Sequence, residues 1–280
     1  MQAAISERSR SIFLSQWVEL LRLRREVLKS PGLDTIHDLR VASRRLRAAV
    51  GLFAPWIAPK RAELLKNNMR KLTRLLGGLR NIDEAQLFFR QHTPAKTGGA
   101  YQISRLLSEL RPGELARIKK ALTSLDHRRL DRAVRKAAAG LNEERIGDDG
   151  GTLPEYFAET GIRLYQPILD LLPTATARDQ RTSRHALRIA IKKWRYFLEI
   201  TAPVLERDYR PLLGLLKEYQ TILGGMNDVA EFEALCAPLG LSRHERVFIE
   251  SALQAEEEIL LQKLTELIEE TPLVYLCLPA

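Results

Sequence analysis

The chain has 280 residues, 28% of them charged, and a formal net charge of +9 from 44 Lys and Arg against 35 Asp and Glu. That length has room for two helical bundles with cores of their own, and that balance describes a mixed surface with locally positive regions. Cys236 and Cys277 lie far apart and outside any CxxC, which argues against a disulfide framework or a zinc cluster. The N-terminus lacks the apolar run of a signal peptide and no stretch approaches 18 apolar residues, so the expectation is a cytoplasmic protein with no membrane span.

Helical signals dominate throughout: Leu, Ala, Arg and Glu are abundant, β-branched runs are short, and no hairpin turn sits between alternating strands. Residues 11–29 read as an amphipathic helix ended by Ser30-Pro31-Gly32. Asp34 is then placed to cap a basic helix running to about Phe53, before Pro55 and Pro59. A third helix from Arg61 to Leu76 is expected to stop at Gly77-Gly78, and Asn81 with Glu84 reads as a capping box for the next. Helical segments around 100–139 close the first half, and the turn-rich Ile146-Gly-Asp-Asp-Gly-Gly151 reads as a solvated boundary.

The second half repeats this order. Leu153 to Leu172 matches the opening helix and Pro173 ends it; a second basic helix runs to about Thr201, before Pro203. Tyr209 to Leu223 stops at Gly224-Gly225, Asp228 with Glu231 forms the second capping box, and residues 242–270 close the half. The domain expectation is therefore two helical repeats, 1–146 and 152–280, within one module.

The two basic helices carry the strongest signal. His37-Asp-Leu-Arg40-Val-Ala-Ser-Arg44-Arg45-Leu-Arg47 and His185-Ala-Leu-Arg188-Ile-Ala-Ile-Lys192-Lys193-Trp-Arg195 share H-x-L-R-[VI]-A-x-[RK]-[RK]-x-R, 148 residues apart. On a helix, His37, Arg40, Arg44 and Arg47 fall within about 80° of one another, in a row about 15 Å long. Leu39, Ala42, Leu46, Ala49 and Val50 point the other way. His185, Arg188, Lys192 and Arg195 repeat the row, with Leu187, Ala190, Trp194, Phe197 and Leu198 opposite, while Arg45 and Lys193 sit beside their rows. Like charges at these spacings repel unless an anion lies along them. A single such helix would pass as a solvated face; its recurrence in register reads as a binding surface.

The paired motif helices, each followed by a helix ending in L-G-G, resemble the CHAD family, the conserved histidine α-helical domain, over nearly the whole chain. The resemblance implies an all-α fold of two pseudo-symmetric four-helix bundles with a basic groove or pore between them that binds inorganic polyphosphate. Many relatives carry a CYTH-type triphosphate-hydrolase domain ahead of this module; there is no room for one here, so a stand-alone copy is expected. The family's functional positions fall on His37, Arg40, Arg44, Arg45 and Arg47, and on His185, Arg188, Lys192, Lys193 and Arg195. Arg70 and Lys217 are aligned additions on the third helix of each half, and Arg74 a further one whose counterpart is Thr221. Association with polyphosphate granules and with polyphosphate-metabolising proteins is a further implication.

The residues suit that ligand. Arg offers planar, two-pronged donors to phosphate oxygens and Lys a compact charge. For the histidines three roles stay open: phosphate contact, metal ligation across the repeat, or a cap at the helix start. One histidine per motif has no second ligand at i+3 or i+4, so neither copy alone reads as a metal site. Catalysis is not expected: Walker loop, nucleophile elbow and HExxH are absent, the second copy replaces Asp38 by Ala186, and no cofactor is implied. Nucleic acid or a general polyanion is the alternative ligand, although Tyr196 alone lies near a basic face as a stacking platform. A metal-dependent accessory to phosphate chemistry using both histidines is a second alternative. A third is a scaffold whose acidic 255–270 helix recruits a basic partner.

Overall fold

The computed structural model describes residues 2–91, 99–141 and 152–273. The expected boundary at 146–151, with Asp148 and Asp149, and Cys277 lie outside the described residues. Everything regular within them is helical, as the periodicity predicts. The helix α1 (Gln2–Lys29) is terminated at Ser30, whose N–H still reaches Glu26 O at 2.7 Å, because Pro31 cannot continue the ladder. In α2 (Leu33–Leu52) the N-cap is Gly32, and its N–H donates to Thr35 Oγ1 at 2.9 Å. Asp34 is therefore not the cap; it lies in the first turn, where its charge suits the positive end of the helix. A 3-10 turn, Ala54–Trp56, leads into α3 (Pro59–Gln91), then α4 (Gly99–Ser124) and α5 (His127–Gly140), the last capped by Asp126.

The helix α6 (Leu153–Ala175) passes through Pro167 and Pro173 and stops two residues after the latter. Thr152 and Glu155 cap it reciprocally, with Thr152 N donating to Glu155 Oε2 at 2.7 Å. Likewise α7 (Arg181–Leu205) continues past Thr201 and Pro203. The chain ends its described part with α8 (Arg210–Cys236) and α9 (Arg243–Glu270), the latter opened by a Ser242–Glu245 capping box.

Two of the expected stops are not stops. α3 runs unbroken through Gly77-Gly78 and α8 through Gly224-Gly225, so Asn81/Glu84 and Asp228/Glu231 are interior residues and not capping boxes. Close packing explains two of these glycines. A Cβ at Gly78 would stand 3.0 Å from Glu114 Oε2, and one at Gly225 would stand 3.0 Å from Leu260 Cδ1.

The chain forms two compact units. Unit 1 comprises Met1–Glu84, Leu107–Phe157 and Ile200–Arg207. Its core centres on Phe53, whose ring lies edge-on to Phe13, Trp56 and Phe157 at 6.1, 6.5 and 6.3 Å. Long-range polar ties hold the same unit: Trp17 Nε1 donates to Asp131 Oδ1 at 2.8 Å, Tyr156 Oη to Leu52 O at 2.7 Å, and Arg8 Nε to Val204 O at 2.8 Å. Unit 2 comprises Ala85–Leu106, Ala158–Glu199 and Asp208–Ala280. Here Tyr165 packs on Trp194 at 4.7 Å, Phe88 on Phe232 at 5.5 Å, and the buried Tyr219 hydroxyl donates to Thr271 O at 3.0 Å. No helix among the described residues is long and apolar enough to cross a membrane.

Candidate functional site

On α2 the predicted division of faces holds. Leu39, Ala42, Leu46, Ala49 and Val50 are buried, His37 and Arg45 are exposed, and Arg40, Arg44 and Arg47 are half-buried. Two contacts set this helix against α3. Ser43 Oγ and Thr73 Oγ1 are 2.7 Å apart, and the Arg40 guanidinium lies over Gly77, 3.8 Å from where a Cβ would stand. Arg70 and Arg74, both exposed, lie roughly 60° and 100° round α3 from Thr73, so they flank that line of contact.

The same division recurs on α7. Leu187, Ala190, Trp194, Phe197 and Leu198 are buried, His185 and Lys193 are exposed, and Arg188, Lys192 and Arg195 are half-buried. His185 Nδ1 lies 3.0 Å from Asn227 Oδ1 on α8. With that oxygen as acceptor, Nδ1 is the donor and Nε2 is the ring's second polar atom. Both motif histidines are the fifth residue of their helices, two residues beyond the last free N-terminal amide, so they do not stand at the cap position of the helix starts. Among the described residues no group of three His, Cys, Asp or Glu is arranged to hold a metal ion.

Arg195 donates from Nε to Glu199 Oε1 at 2.8 Å and from Nη1 to Gln220 Oε1 at 2.6 Å, so part of its charge is already met within the chain. The position matching Glu199 in the first repeat is Gly51, which has no carboxylate. Lys217 is exposed on α8, one turn before Gln220. Tyr196, the aromatic expected near the basic face, is buried at 9% exposure and offers no stacking platform.

Sequence reasoning missed an ionic cluster at the head of α7. Arg184 is 3% exposed; Nη1 donates to Ala177 O at 2.6 Å and Nη2 to Arg178 O at 3.2 Å and Glu257 Oε1 at 3.5 Å. Burial pulls its guanidinium pKa below the usual value, and these acceptors are what keep a buried cation tolerable. Arg181 donates from Nε to Glu257 Oε1 at 2.8 Å and also pairs with Oε2, while Arg178 pairs with Glu258. The hydrogen bonds that Arg181 donates to the Glu257 carboxylate hold its pKa above the ordinary value. Two carboxylates of the acidic helix thus have basic partners inside the chain, and Glu257 is not an open recruiting charge.

The profile of the CHAD domain family matches residues 11–237. The chain belongs to the CHAD domain family. Its fold is similar to the crystal structure of the CHAD domain from the plant Ricinus communis, at 22% identity and a TM-score of 0.69, covering 96% of this chain and 91% of that one. It is similar also to PptA from Streptomyces chartreusis, at 15% identity and a TM-score of 0.70, covering 95% of this chain and 99% of that one. These likenesses concern the CHAD fold. Curated protein sequences give no match.

Proposed function

We propose that this CHAD domain protein binds inorganic polyphosphate along the basic rows of α2 and α7 and catalyses no reaction on it. The observation that carries the reading is the repeated division of faces: each row opposes a fully engaged apolar face, which fixes the direction of its cations. Polyphosphate carries about one negative charge per phosphate and has no base or sugar to read. Closely spaced cations on rigid helices are what its recognition requires, and counterion release makes such binding steeply salt-dependent. In this reading His37 and His185 contact phosphate through an exposed ring nitrogen, and Arg70, Arg74 and Lys217 extend the positive surface. The protein accompanies polyphosphate in the cytoplasm, at granules where these form, and its protein partners are those that make or degrade the polymer.

The test is a titration of labelled long-chain polyphosphate at near-physiological salt, challenged with single-stranded DNA, duplex DNA, RNA and heparin. Polyphosphate is expected to compete best, since the rows present no stacking aromatic. Arg44→Glu with Lys192→Glu is expected to weaken binding about a hundredfold or more, with the helical circular dichroism unchanged. Unaltered affinity in that double variant overturns the assignment, and equal competition by nucleic acids makes the protein a general polyanion binder. Release of orthophosphate during incubation would overturn the non-catalytic part.

A further inference from the structure

We propose that the basic row of α7 is one turn longer than the repeated motif, and that Glu257 on α9 holds the added cation, Arg181, in competition with the bound polyanion. The inference rests on the polyphosphate reading and deepens it by naming a further binding residue and its internal competitor.

The register points to Arg181 first. Arg181, His185, Arg188, Lys192 and Arg195 follow one another at steps of four, three, four and three. At about 100° per residue Arg181 falls roughly 40° from His185, inside the arc the row already occupies. The matching position in the first repeat is Leu33, so the extension belongs to α7 alone. Arg181 lies within the helix, as its first residue, and its side chain is 61% exposed.

Its present partner is an anion of the chain itself. Both Glu257 oxygens engage the Arg181 guanidinium, and Glu233 Oε2 lies 3.9 Å from Nη1. A purely structural staple between α7 and α9 is the plain alternative. That task is already done by Arg184, which is buried, tied to backbone carbonyls and in reach of the same Glu257 carboxylate. An ion pair with one partner so exposed adds little to stability, but it does neutralise a cation that stands in line with three others.

A phosphate presents oxygens in a geometry that a guanidinium accepts as readily as a carboxylate. Exchange of one for the other is near even for an isolated anion. It favours the ligand when the rest of the row tethers the next phosphate close by. The structure leaves room for Glu257 to turn away. A cleft of about 350 Å³ opens beside the ion pair, lined by Val229, Ile249 and Leu253 and by the polar side chains of Glu250, Gln254 and Glu258. A smaller hollow of about 70 Å³ is lined by Arg181, Arg184, His185 and Glu257 together, so the head of the row and its competitor share one space.

The experiment titrates long-chain polyphosphate into the full chain and into Glu257→Gln, Arg181→Ala and the double variant, at several salt concentrations. Glu257→Gln keeps an acceptor for Arg184 and removes the competing charge. It is expected to bind roughly three- to tenfold tighter, with the logarithmic salt slope steeper by about 0.7, the mark of one more phosphate contact. Arg181→Ala is expected to cancel that gain in the Glu257→Gln background, and to cost less in the unaltered chain than it does there. A gain that survives Arg181→Ala, or no gain while the unaltered chain binds, overturns the competition. Failure of the unaltered chain to bind polyphosphate overturns the proposed function, and this inference with it. Should circular dichroism show Glu257→Gln unfolded, Glu257→Asp keeps the charge near Arg184 and withdraws it from Arg181. A smaller gain is then expected, and its absence overturns the proposal.

Discussion

The phenol of Tyr219 is fully buried, and its hydroxyl donates to the carbonyls of Thr271 and Leu267 at 3.0 and 3.3 Å. Burial pushes its pKa up to about 12 from an ordinary 10. A folded pKa above the unfolded one means that the stability is complete below pH 10 and is lost as the pH rises toward 12. Cys236, whose buried thiol is likewise pushed up to about 12, adds to the same alkaline loss from pH 9 upward. Tyr219→Phe is expected to flatten the fall in unfolding free energy between pH 10 and 12, by an amount on the order of 2 kcal/mol across the window. An additional Cys236→Ala flattens it further; an unchanged slope in both variants would show that other groups drive the alkaline loss. At this scale the rows themselves were legible, because a helix converts spacing into direction without further information. Arg184 was not: the carboxylate it meets is Glu257, 73 residues away, and nothing local distinguishes it from Arg181 or Arg188.

Helices were legible as elements because apolar spacing survives whatever packs against it, and their ends were less so. A Gly-Gly pair carries the same letters whether it breaks a helix or lets a neighbour close in. At Gly225 the neighbour is Leu260, at Gly78 it is Glu114, and both helices run straight through. These environments give an ordered prediction. Gly224 faces open space, so Gly224→Ala is expected to stabilise α8 by about 0.5–1 kcal/mol through helix propensity. Gly225→Ala meets Leu260, a side chain able to rotate, and should be near neutral. Gly140→Ala sets its Cβ 2.4 Å from the carbonyl oxygen of Trp56, backbone that cannot step aside, and should cost about 1–3 kcal/mol. Denaturant unfolding of the three variants checks the order, and a stabilising Gly140→Ala would contradict the packing described at the end of α5.

The fold class, all-α, follows from composition and period, whereas the composition of the two compact units does not follow sequence order. Unit 1 takes in 200–207 from late in the chain, where Arg8 meets Val204 and also pairs with Glu206 at 2.8 Å. Unit 2 takes in 85–106 from early in the chain, where Phe88 and Phe89 meet Phe232. A repeated pattern relates segments along the sequence and is silent about which segments pack together. A fragment of residues 1–146 would lack Phe157, Val204 and the other late contributions to unit 1, and would leave Phe88 and Phe89 without their partner. It is expected to lose cooperative thermal melting by circular dichroism; a sharp transition like that of the full chain would refute this.

That composition also sets a timetable during synthesis. Translation delivers the N-terminus first, at roughly 5–20 residues per second, so the segment that completes unit 1 emerges some seconds after α5. Through that interval the Phe13, Phe53 and Trp56 cluster waits for Phe157, and Arg8 for the carbonyl of Val204. Until those segments arrive the first unit cannot close its apolar core, so its folding has to wait on later parts of the chain.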